Sequence, residues 1–209
     1  DALKIDGLTV YEHPTMAWRH LDIKFVGHLR RTKVRQALDF ATPSQQIIDQ
    51  MLLGRATPCI ADQAPGTWAY NPNIQPRPFD LAQAEALLTE AGLTKNGDGV
   101  WEGPTPAGEP VFPGKRYDEM TGGGQASPTP GGATPAPAFE PIDDVDAENL
   151  TGPVMPLEIE LWATSGDDTV TQIIEVISAA WTQLGVKTSV NFQDVSTLWG
   201  PDGYQWNDK

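Results

Sequence analysis

The apolar positions of this chain alternate between a two-residue and a 3.6-residue period, and each change marks an element. From Trp18 to Phe25, Leu21, Ile23 and Phe25 alternate with His20, Asp22 and Lys24, the pattern of a half-buried strand. Leu8 to Tyr11 is its candidate partner. Val34, Ala37, Leu38 and Ala41 then fall on one helical face. Thr42-Pro43-Ser44-Gln45 predicts a second helix, with Thr42 as cap, Pro43 at the first helical position and Gln45 three residues after the cap. Ile47, Ile48, Met51 and Leu52 form its inner face, and Gly54 is placed to end it. A Pro-rich loop with Trp68 and Tyr70 follows over 56–78. Asp80 caps a third helix, whose inner face is Leu81, Ala84, Leu87, Leu88 and Ala91 and whose stop is Gly92. Asn96-Gly97-Asp98-Gly99 predicts a tight turn into a short strand at Val100 and Trp101.

Period two returns at Leu157, Ile159 and Leu161, which predicts a strand ending at Ala163. Asp168 or Thr169 can cap the helix after it, with Val170, Ile173, Ile174, Ile177, Ala180, Trp181 and Leu184 as a broad apolar stripe and Gly185 as its stop. Val186, Thr188, Val190 and Phe192 return as a strand, so the segment predicts a right-handed βαβ unit with parallel strands. Between 103 and 156 the periodicity lapses, and Pro, Gly, Thr and Ala recur, as in Ser127-Pro128-Thr129-Pro130-Gly131-Gly132. Such a stretch buries too little surface to offset its ordering entropy and is expected to be an extended or flexible acidic insertion. Three parts follow: 1–102, the insertion 103–156, and the βαβ part 157–209. The 20 Gly and 19 Pro concentrate in the insertion, whereas 39% hydrophobic residues and seven Trp speak for a folded body.

Several of these elements also carry a family pattern. Val34-Arg35-Gln36-Ala37-Leu38, the Asp80-to-Gly92 helix (Asp-Leu-Ala-Gln-Ala-Glu-Ala-Leu-Leu-Thr-Glu-Ala-Gly), the Asp98-Gly99 turn and Leu184-Gly185-Val186 leading to Val190 follow one another in order. Together they resemble the extracytoplasmic solute-binding proteins of peptide and nickel ABC importers, solute-binding family 5. The resemblance implies an α/β chain that is a piece of one lobe of a periplasmic-binding-protein type II-like fold, with the insertion longer than is usual at this junction. It implies a non-enzymatic role: capture of peptides or related small solutes outside the cytoplasm, closure of two lobes about a hinge, and delivery to an ABC permease. Membrane contact is expected only through that permease or through a lipid anchor outside this chain. In the family the strand matching Trp18–Phe25 ends in an Asn near the cleft, where this chain has Val26. The acidic residue that holds a peptide's amino terminus in the family comes after the stretch matching Asp194 to Trp206, so it is carried onto no position here.

Charge and motifs narrow the alternatives. A net charge of −14 in 209 residues argues against nucleic acid as a partner, since phosphate binding needs a basic surface, and the cluster Arg30, Arg31, Lys33 and Arg35 is expected to be a solvated helix face rather than a DNA-recognition helix. Cys59 is the one cysteine, so no intrachain disulfide forms. His13, His20 and His28 are scattered, and surface or half-buried roles fit them better than metal ligation. Asn96 to Gly99 lacks the alternating oxygen ligands of a calcium loop. No G-x-S-x-G, Walker, H-E-x-x-H or dinucleotide motif is present, no cofactor is implied, and hydrolysis is a distant reading. No apolar run approaches the ~20 residues of a membrane span, and Asp1 to Val10 shows no signal-peptide pattern. In open α/β sheets ligands approach the carboxyl ends of the strands, which makes Trp162, Thr164, Ser165 and Asp194 the candidate ligand-binding residues, with Gly166 beside them. For Trp162 packing is the plainer alternative; for Ser165 to Thr169 it is helix capping. The competing functional reading is a stand-alone module that docks a protein partner through the acidic Pro-rich insertion.

Overall fold

The computed structural model describes residues 17–59, 63–107 and 150–199, together with Asp6, Gly7, Thr9, Tyr11 and Thr15. A short 3-10 turn, Gly27–Arg30, leads into α1 (Thr32–Phe40), followed by α2 (Ser44–Gln50) and α3 (Leu81–Glu90). Three short strands, β1 (Thr94–Lys95), β2 (Trp101–Pro104) and β3 (Val154–Pro156), form an antiparallel sheet in that order. β4 (Glu158–Thr164) and β5 (Lys187–Gln193) pair in parallel across α4 (Asp168–Leu184), and α5 (Val195–Trp199) follows.

The helices form where their apolar stripes predict, and those stripes make the core. Val34, Ala37 and Ala41 of the first helical face are fully buried, as are Ala84 and Leu88 of α3. They meet Ile174, Ile177, Trp181 and Leu184 of α4 and the inward faces of β4 in one hydrophobic cluster. α1 is fastened to α3 end to start, because the amide of Asp80 donates to the Phe40 carbonyl (2.8 Å) while the Asp80 carboxylate caps α3 at the amide of Gln83 (2.9 Å). The two sheets are joined through Trp101. Its amide donates to the Gly185 carbonyl (3.0 Å), its carbonyl accepts from the amide of Leu157 (2.6 Å), and its indole N–H donates to the Leu184 carbonyl (2.8 Å). Gly185 ends α4 in the left-handed region at φ 100°.

Four expectations are corrected. The segment Trp18–Phe25 forms no strand, and Leu21 and Phe25 stay 38% and 40% exposed. Alternation makes a strand only when a ladder partner is present; among the described residues no strand pairs with it, and of its expected partner, Leu8 to Tyr11, only Thr9 and Tyr11 are among them. Thr42 does not cap α2: its hydroxyl donates back to the Leu38 carbonyl (2.7 Å) and accepts from the Trp181 indole (3.1 Å), so tertiary packing overrides the local cap. Arg31 is not on a solvated face but fully buried beneath the 3-10 turn, and His28 is buried too. Finally, ordered strand extends into both ends of the stretch read as an insertion. Gly103 and Pro104 pair with Met155 and Val154, while most of that stretch lies outside the described residues.

Candidate functional site

The candidate site is built on the βαβ unit. In β4 the residues Ile159, Leu161 and Ala163 face the core, and in β5 Thr188, Val190 and Phe192 lie opposite them in register. Every second residue therefore points to the other side of the parallel pair. There Glu158 pairs with Lys187 (2.9 Å), Glu160 accepts from the Asn191 side-chain amide (3.3 Å), and Gln193 donates to the Asn191 side-chain oxygen (2.8 Å). Trp162 stands in this row, opposite Asn191, half-buried and outside the core cluster.

The carboxyl ends of the two strands come together. Thr164 lies opposite Gln193, and the amide of Ser165 donates to the Gln193 carbonyl (2.8 Å), which brings Thr164 and Ser165 beside the turn that carries Asp194. Of the four residues singled out in the sequence, Thr164, Ser165 and Asp194 thus share one edge, and Trp162 sits two positions back along β4. Asn191 and Gln193 complete that edge; their signal in the sequence was the polar half of the β5 alternation.

Two carboxylates fix the loops there. Asp167, rather than Asp168 or Thr169, caps α4 by accepting from the amides of Thr169 (2.9 Å) and Val170 (3.1 Å), and Arg19 lies 3.3 Å from it. The Val170 amide, with the Arg19 guanidinium and the Thr169 amide, holds its carboxyl below the usual carboxylate range. Those amides are therefore engaged by Asp167, whereas the Ser165 side chain is exposed and plays no part in the cap. Asp194 caps α5 in the same way. It accepts from the Ser196 hydroxyl, the Thr197 hydroxyl (2.8 Å) and the Thr197 amide (3.0 Å), and these bonds, that of Ser196 first, bring its pKa to about 2.

Because the folded-state value is depressed, the stability contributed by this cap is complete above the ordinary carboxyl range and is lost as the pH falls through about 2. An NMR titration of the Asp194 carboxyl is expected to show a midpoint near that value, and Ser196→Ala to raise it. An ordinary midpoint in the unaltered chain would mean that the cap is not made.

Among the described residues no three His, Cys, Asp or Glu side chains are grouped to hold an ion. His20 pairs with Asp22 (3.2 Å), the Nε2–H of His28 donates to the Met155 carbonyl (2.8 Å), and His13 lies outside the described residues. A depression of about 280 Å³ bordered by Asp98, Gly99, Thr182 and Lys187 lies at the amino end of β5, away from the candidate edge. No helix among the described residues is long and apolar enough to cross a membrane.

Against known proteins, residues 2–208 match the model of the bacterial extracellular solute-binding proteins, family 5. The chain belongs to this family. Its members are extracellular solute-binding proteins. Among curated relatives of this family 5 chain, the di/tripeptide-binding protein 3 of Pseudomonas aeruginosa is 40% identical over 63 residues, 30% of this chain and 12% of the relative. The heme-binding protein A of Haemophilus influenzae is 42% identical over 60 residues, 29% of this chain and 11% of the relative.

Solved structures extend the likeness to most of the fold. The oligopeptide-binding protein of Thermus thermophilus, complexed with a pentapeptide, superposes with a TM-score of 0.58 at 19% identity, covering 85% of this chain and 22% of that one. NikZ of Campylobacter jejuni in complex with Ni(L-His) superposes with a TM-score of 0.53 at 22% identity, covering 81% and 24%. The family 5 chain therefore has the mixed α/β fold of periplasmic-binding-protein lobes, as its sequence pattern implied. It spans less than a quarter of the length of these structures, and its matched segment about an eighth of the curated relatives.

Proposed function

We propose that this chain forms part of an extracytoplasmic receptor that captures a peptide or related small solute and hands it to an ABC permease. The observation that carries the proposal is the family 5 match over residues 2–208. The edge formed by Thr164, Ser165 and Asp194, with Trp162 behind it, is the part of the chain proposed to face the solute. It lies at the carboxyl ends of parallel strands, where open α/β sheets receive ligands, and it offers hydroxyls, a fixed carboxylate and one aromatic face. That mixture suits the polar backbone of a peptide, with the half-buried indole of Trp162 adding apolar surface behind it. Relatives of near-equal identity are named for di/tripeptides and for heme, so identity alone does not choose the solute. The alternative of a partner-docking module rests on the 103–156 stretch, most of which lies outside the described residues, and nothing in the described part favours it.

Calorimetric titration of mixed short peptides and of Ni²⁺ tests the assignment, with this chain and with a version lengthened to the span of its relatives. Binding is expected only from the longer protein, because the part present here encloses a small share of a two-lobed cleft, and Trp162→Ala in that protein is expected to weaken binding several-fold. Tight peptide binding by the 209-residue chain would overturn the view that the site is shared with further polypeptide. A longer, folded protein that bound neither class would overturn the solute assignment.

A further inference from the structure

We infer that the 3-10 turn Gly27–Arg30 is an acid-sensitive latch that holds together the two strand ends between which residues 108–149 run. The turn grips both ends. His28 donates from Nε2 to the carbonyl of Met155 in β3 (2.8 Å), and Arg30 donates to the carbonyls of Pro106 and Ala107, just beyond β2 (3.4 Å each). One turn of chain ahead of α1 thus fastens the strand that leaves toward 108 and the strand that returns from 149. The sequence pattern gave no sign of it, because a lone His and a short basic run read as surface.

Protonation strikes at this grip. With Nε2 carrying the hydrogen bonded to Met155, neutral His28 leaves Nδ1 unprotonated, and Nδ1 is buried without a hydrogen-bond partner among the described residues. A proton added at Nδ1 would be a buried donor with no acceptor and would put a second cation beside Arg31, itself fully buried. The charged groups described around the turn are engaged elsewhere. Lys33 of α1 is held by Glu90 of α3 (3.3 Å), and Arg35 donates to the Leu29 carbonyl (2.8 Å) and lies over Phe25. β3 carries no titratable side chain, and Glu102 of β2 is engaged by Asn96 (3.1 Å). Burial, opposed by the bond to Met155 and aided by Arg31, sets the His28 pKa below the ordinary histidine value of 6.5.

The sign follows from linkage. A histidine that is harder to protonate when latched takes up its proton on release, so the latch weakens as pH falls below about 6.5, the free histidine value. A protein displayed outside the cytoplasm meets the pH of its surroundings, which gives such a device something to respond to. The inference stands on the turn alone and does not depend on the solute proposed above.

Hydrogen exchange of the full 209-residue chain at pH 7.5 and 5.5, normalised to intrinsic exchange rates, tests the latch. The reporters are the amides of Thr105 and Gly152, which bond across the two strand ends (3.1 and 2.9 Å), with the Ser165 amide between β4 and β5 as a distant control. Protection at Thr105 and Gly152 is expected to fall several-fold at the lower pH while Ser165 holds. His28→Gln, which keeps a side-chain N–H for Met155 but does not titrate, should abolish the response, and His20→Gln should leave it intact. An equal response in His28→Gln, or none in the unaltered chain, overturns the inference. Should His28→Gln fail to fold, an NMR titration of the unaltered chain decides: a His28 midpoint at or above the free value sinks the latch, and a lower one supports it.

Discussion

Replacing Trp181 with alanine is expected to remove about 3–5 kcal/mol of folding stability, the usual range for deleting a buried Trp. Its indole is 4% exposed, and its N–H lies between the Leu38 carbonyl (3.2 Å) and the Thr42 hydroxyl (3.1 Å). The substitution therefore opens a cavity between α4 and α1 and strips two acceptors at the end of α1 of a shared donor. In a domain of this size the loss corresponds to a fall of roughly 6–20 °C in Tm. Trp181→Phe keeps most of the ring and loses chiefly the N–H, so it should cost nearer 1 kcal/mol. Urea unfolding of both variants checks the prediction. An alanine variant within about 1 kcal/mol of the parent would show that α1 and α4 do not pack as described.

Gly185→Ala is expected to destabilise almost as strongly by another route. At φ 100° the backbone is where L-residues are strained, which alone costs about 1–3 kcal/mol. An added Cβ would also sit 2.6 Å from the Gly99 carbonyl oxygen and 3.2 Å from the Trp101 ring. The Gly99 contact is with backbone and cannot be relieved by rotating a side chain, so the turn at Asn96–Gly99 or the end of α4 has to move. Gly166 separates the two causes, since its φ is +91° and nothing lies within 4 Å of its Cβ position. Gly166→Ala should show the conformational cost alone. Equal losses at both glycines, measured by denaturant unfolding, would mean that the close approach of Gly99 to Gly185 adds nothing.

Much of this architecture was legible because period and burial are tied by geometry. The faces of α1, α3 and α4 and the parallel pairing of β4 with β5 appear where the apolar spacing puts them, since one phase of each pattern can be buried against the others. Caps were legible to within a residue: Asp80 serves as read, whereas α4 starts from Asp167 and not Asp168. Several acceptors in one stretch compete, and the backbone angle at each decides among them. What could not be read depended on distant chain. Trp18–Phe25 has strand alternation but no described ladder partner, and Thr42 is diverted by Trp181, 139 residues away. β3 was hidden because three residues beside prolines give no periodicity. The candidate edge was located by the rule for parallel sheets, but that Asp167 occupies the amides of α4 became visible only in three dimensions.

The meeting of Thr105 with Gly152 has a bearing on how this chain tolerates change. The Gly152 amide donates to the Thr105 carbonyl, the Thr105 amide donates to the Pro153 carbonyl, and a Cβ at 152 would lie 2.6 Å from Thr105. These hydrogen bonds hold the two ends of the intervening sequence together at a narrow neck. Closure cost grows only logarithmically, by about 0.6 kcal/mol for each doubling of length. Lengthening the sequence between these two residues is therefore expected to cost little in closure entropy, whereas a side chain at 152 would meet Thr105 at the neck.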